Sequence, residues 1–208
     1  MKRYISVVRV GFYLLTLIAI TSCSKNYFEG KILYKYQYLN KEGKDITDRM
    51  KEVGGAEQHY FINARNYKSK NEKNQLTQLY NSTTNQYYFN VGLELEMVDA
   101  AKEFPKKNDP KLLKGKQTIL DVPCSSLLVT SEVGSTTYFY SKKIKVNPIP
   151  FSKHRFGNWN NYLKLTKGAL PLKFVVVFDQ YTLTATAVQV IRMKLNDEEF
   201  EIKKALLK

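Results

Sequence analysis

The chain has 208 residues, 33 of them Lys or Arg and 19 Asp or Glu, for a net charge of +14. Length suits a single domain, and two cysteines, Cys23 and Cys124, are too few for a disulfide framework. No Walker loop, nucleophile elbow, His-Glu-x-x-His or paired-cysteine metal motif occurs, so the sequence predicts no enzyme, no cofactor and no metal centre.

Three zones open the chain. Lys2, Arg3 and Arg9 form a positive leader, and no acidic residue precedes Glu29. Val10 to Ile20 is apolar except for Gly11 and Thr16, and Ile20-Thr21-Ser22-Cys23 follows. This order describes a secretory signal, with an apolar run too short to cross a hydrocarbon core that needs roughly 20 residues. The last four residues resemble a lipobox, which implies release of residues 1–22 and acylation of the Cys23 thiol. Two or more acyl chains hold a protein firmly to a membrane. The expected organisation is a signal peptide over 1–22, a lipidated tether over 23–27 and one β-rich domain over 28–208. Ser24 fits retention at the outer membrane, facing the periplasm. The mature part then carries +11, because the signal removes three basic residues. Export argues against a nucleic-acid partner; one reading sets the lysines against lipid phosphates, at about 1 kcal/mol each, and the competing reading, from their scatter, is a solvated coat.

The mature region alternates like strands. Phe28, Gly30, Ile32, Tyr34, Tyr36 and Tyr38 share one face, and Glu29, Lys31, Lys35 and Gln37 the other. Further strands are expected at 58–64, 66–70, 76–81, 86–91 and 93–97, with a hairpin around 82–85. Residues 102–116, rich in lysine and broken by Pro105 and Pro110, suggest a loop. Strands resume at 117–121, 126–131 and 136–145, then at 172–178 and 181–195, joined by Asp179-Gln180. A helix is expected only within 97–114 or 151–165. Nine to eleven short strands either curl or leave a long edge, so the predicted fold is mainly β: a curved antiparallel sheet forming a half-open barrel with one or two short helices.

Such a sheet presents alternate residues to a hollow. Tyr34, Tyr36, Tyr38, Tyr60, Tyr138 and Tyr140 are the candidates for its lining, because a phenol couples an apolar ring to a polar tip. The competing reading is an ordinary aromatic core. Cys124 is expected to be a small buried hydrophobe, and His59 and His154 surface or edge residues. Glu94 with Glu96, and Glu199 with Glu201, look like solvated faces of strands.

Phe28-Glu29-Gly30-Lys31-Ile32-x-Tyr34 resembles the first strand of small Bacteroidota lipoproteins of domain of unknown function 4412, the GLPGLI type. Thr118 to Cys124, Tyr138-Phe139-Tyr140, Ile144-x-Val146-Asn147-Pro148, Gly168 to Leu172 and Asp197 to Ile202 are similar to later blocks of that family, in the same order. Asp121, Pro123 and Lys203 depart from it. The resemblance implies a fold like the LolA/LolB lipoprotein carriers, an unclosed barrel around a hydrophobic cavity. Two functions follow as expectations. One is a membrane-anchored lipoprotein binding a lipid or other apolar ligand in the curved sheet. The other is an accessory interaction protein of the envelope, with a filled core and a protein partner.

Overall fold

The structure is a computed structural model that describes residues 27–91, 94–104 and 110–202. The signal segment, Cys23 and nearly all of the tether lie outside the described residues.

Eleven strands form one antiparallel sheet. In chain order they are β1 (Gly30–Asn40), β2 (Glu57–Ile62), β3 (Tyr67–Lys70), β4 (Leu76–Asn81), β5 (Gln86–Val91), β6 (Glu94–Asp99), β7 (Lys111–Ile119), β8 (Val122–Ser131), β9 (Gly134–Lys145), β10 (Ala169–Val177) and β11 (Tyr181–Arg192). Two short helices accompany them, α1 (Thr47–Gly54) after β1 and α2 (Trp159–Thr166) before β10. The spatial order is β6-β5-β4-β3-β2-β1-β11-β10-β9-β8-β7. The first strand therefore sits in the middle, where it pairs with both β2 and β11. The edges β6 and β7 are consecutive in sequence. The sheet curves into the half-open barrel that the alternation predicts.

Side-chain size along the register explains the close fit of the concave face. Tyr34 lies opposite Ala187 and Tyr36 opposite Ala185, so methyl groups make room for the rings. The same row runs on from Ala185 through Phe174 and Tyr138 to Leu127. On the other side, Ile62, Tyr67, Tyr80, Tyr87 and Val98 stand opposite one another in turn. Cross-strand aromatic pairs of this kind contribute about 0.2–1 kcal/mol each relative to an Ala–Ala pair.

Three expectations are corrected. Residues 111–119 are a strand, because β7 is an edge whose residues 111–116 are all exposed; with neither face buried, no alternation marks it. The helix α1 buries no residue, so no apolar stripe announces it; it starts where Asp45 accepts the Thr47 N–H at 2.8 Å. Glu199 sits in a single 3-10 turn (Asp197–Phe200) with Glu201 just beyond it, not on a strand. That turn is closed by a reciprocal cap between Asn196 and Glu199.

Candidate functional site

The chain between β9 and β10 decides what the hollow can hold. After Lys145 it leaves the sheet, makes short 3-10 turns at 149–151 and 156–158, and continues as α2. An apolar side faces inward: Phe151, Tyr162 and Leu163 are buried, and Phe156 and Trp159 pack against the same core. Each fully buried large side chain contributes about 1.5–3 kcal/mol of gross transfer energy. The segment leaves the core sharply. Gly168 donates to Leu163 O at 2.7 Å and Lys167 to Lys164 O at 3.3 Å, the two bonds of a Schellman turn. Gly168 is required there: its φ is +84°, and a Cβ would come 2.1 Å from Val146 O.

This segment plugs the hollow with rings. Tyr162 packs on Tyr138 at 4.7 Å between centroids and edge-on to Tyr140 at 6.3 Å. His154 lies 4.3 Å from the Tyr80 ring, and Phe156 lies 5.4 Å from Phe89. Tyr67 is the hub, with ring contacts to Tyr60, Tyr80, Tyr87, Phe151, His154 and Trp159.

The structure places the six predicted tyrosines as follows. Tyr34, Tyr60 and Tyr140 are buried, and Tyr138 is partly buried against them. The Tyr34 hydroxyl donates to Pro171 O at 2.7 Å. These four gather around Tyr162: burial raises the Tyr162 phenol pKa well above its ordinary value, and the neighbouring phenols Tyr138, Tyr34, Tyr140 and Tyr60 add to it. Burial likewise pushes Tyr138 up to about 12. Tyr36 and Tyr38 lie farther along β1, towards the other rim. Tyr38 donates to Gly55 O at 3.2 Å and meets Tyr181 at 5.9 Å; Tyr36 packs edge-on against Tyr38 at 6.2 Å.

Sequence reasoning missed His154, Tyr67, Trp159 and Tyr162. His154 is a corrected expectation: it is 1% exposed, not a surface residue. Its Nε2 lies 2.7 Å from the Tyr67 hydroxyl, and burial lowers its pKa from 6.5 to about 3, so the ring is neutral. No local pattern marks it, because it stands on an irregular segment without a period. Cys124 is buried as expected, and burial raises its thiol pKa. Among the described residues no cluster of three or more His, Cys, Asp or Glu is placed to hold a metal ion.

Open space lies at the rims. A groove of about 560 Å³ runs between the plug, the β2–β3 turn and the β4–β5 turn, lined by Tyr27, Phe28, Arg65, Ile149, Pro150 and Lys153 among others. Ile149 is 73% exposed there, and Arg65 pairs with Asp197 at 2.9 Å. A second groove of about 520 Å³ lies between the β5–β6 edge and Phe104 and Phe156.

Fold and site together define a mainly β half-barrel whose hollow is plugged by its own β9–β10 connection and whose open clefts lie at the rims. No family model matches the chain, and no curated protein matches it. Two solved structures of PNGF-II, in P21 and C2 space groups, are similar at 16% identity, with TM-scores of 0.46 and 0.42. They cover 84% and 81% of this chain but 30% and 29% of their own, so the chain spans under a third of their length. A likeness of that depth carries no argument about activity.

Proposed function

We propose that this chain is an acylated lipoprotein of the cell envelope, held through Cys23, that binds lipid at the surface to which it is tethered. The observation that supports this most is the position of the first rim groove. Tyr27 and Phe28 line it, and Tyr27 stands four residues after Cys23. Four residues reach at most about 14 Å, so an acylated Cys23 holds this rim against the head-group layer. The exposed Ile149 and the cations Arg65 and Lys153 suit the boundary between acyl chain and phosphate. The lipid reading thereby moves from the hollow, which aromatic rings occupy, to its mouth.

Lipids co-purifying with the envelope-extracted protein, identified by mass spectrometry, test the reading. Wild type should retain phospholipid after detergent exchange, and an Ile149→Glu, Lys153→Glu double variant should lose it. Equal retention by both, or none by wild type, would overturn it. A second reading, an accessory subunit for a protein partner, is favoured by one observation: the hollow is filled. In-cell crosslinking that yields one stoichiometric protein partner would support it.

A further inference from the structure

The interior between sheet and plug is less apolar than its rings suggest. Among the described residues, the buried side-chain atoms without a hydrogen-bond partner include Tyr60 Oη, His154 Nδ1, Trp159 Nε1 and Tyr162 Oη. All four belong to one ring cluster. Tyr67 meets Tyr60 at 5.4 Å, His154 at 5.7 Å and Trp159 at 6.1 Å, and Trp159 stacks on Tyr162 at 5.0 Å. Buried polar atoms in folded proteins nearly always find a partner, from protein or from ordered water. Four left over in one place point to a guest.

Chemistry narrows the guest. An indole N–H only donates, whereas a phenol donates or accepts. His154 supplies a donor at Nδ1 if the Tyr67 hydroxyl donates to Nε2, and an acceptor there if it accepts from Nε2. The rings around the cluster are uncharged phenols, phenyls, an indole and a neutral imidazole, and among the described residues no Lys or Arg is buried to balance an anion. The guest is therefore small and uncharged, with both a donor and an acceptor.

We propose that these unpartnered polar atoms, buried among the rings where plug meets sheet, hold small uncharged hydrogen-bonding molecules: long-lived water bridging Tyr60, Trp159 and Tyr162. Of these three residues, Tyr60 comes from the sheet and the other two from the plug. The plug thus docks through bridged polar contacts as well as through packing. Beyond the Tyr67–His154 bond, water supplies what the side chains do not supply to one another. This inference is independent of the lipid reading, because it concerns the interior and not the rim.

Trp159 is the single tryptophan of the chain, so its indole proton gives one unambiguous signal. Water-selective nuclear Overhauser spectra of the protein as isolated from cells should show a cross-peak between that proton and a slowly exchanging water. Oxygen-17 relaxation dispersion should count fewer long-lived waters in Tyr60→Phe and Tyr162→Phe than in wild type, and both variants should unfold at lower urea. A missing cross-peak, with Phe variants that unfold at the same or higher urea, means dry orphaned hydroxyls and overturns the proposal. Should a variant fail to fold, the wild-type cross-peak decides alone: present it upholds the site, absent it refutes it.

Discussion

Acid should loosen this fold in part through a buried neutral imidazole, that of His154. Its pKa falls from 6.5 to about 3 on burial, and the rings packed on it are those of Tyr67, Tyr80 and Tyr87, none of them charged. The unfolded chain takes up a proton at about pH 6.5, and the folded chain does not until about pH 3. Between those values the unfolded state binds more protons, so stability falls as pH falls. The full contribution is present above pH 6.5 and disappears towards pH 3. Each pH unit below 6.5 costs about 1.4 kcal/mol, so going from about pH 7 to about pH 5 should remove about 2 kcal/mol through this group alone. Urea unfolding of wild type and His154→Gln at the two pH values isolates the effect, since the carboxylates titrate alike in both. The variant should be the less stable at neutral pH, because the neutral ring and its bond are lost, and the gap should shrink by about 2 kcal/mol in acid. A gap unchanged with pH would show that the imidazole is protonated or solvated in the folded protein.

Four further outcomes follow from the packing. Tyr67→Phe leaves the buried His154 Nε2 without its partner and should cost about 1–3 kcal/mol in urea unfolding. Phe151→Ala opens a cavity under a fully buried ring of the plug and should cost about 3–5 kcal/mol. Gly30→Ala brings a Cβ to 2.0 Å from Ile191 O at φ +149°; a loss of about 3 kcal/mol is expected by the same assay. Cys124, buried and with a raised thiol pKa, should resist iodoacetamide in the folded protein and react on adding urea; mass spectrometry of the alkylated chain reads both states.

Much of the sheet was legible because its central strands bury one face. Residues 28–38 alternate so regularly that β1 and its inward tyrosines follow from period two alone. The hairpin of β4 and β5 was marked by Ser82-Thr83-Thr84-Asn85, where Asn85 takes φ +54°. Edge strand β7 was hidden, since exposure on both faces leaves no pattern, and Gly115 at φ +104° looks like a loop residue. The site was half legible. Tyr34, Tyr60, Tyr138 and Tyr140 are inward by alternation, but what faces them is not. Whether those rings line a void or meet other rings depends on residues 147–166, whose aromatics have no period and take their places only through long-range contact with the sheet. For the same reason the rim groove, built from turns distant in sequence, had no signature.

The measurement that bears most directly on the proposal of an envelope lipoprotein bound at its own tether is the mass of the N-terminal peptide from protein isolated from cells. Trypsin should release Cys23-Ser24-Lys25 carrying a diacylglyceryl thioether. Recovery of an unmodified peptide from the Met1 end, from chain found free in the cytosol, would contradict the account.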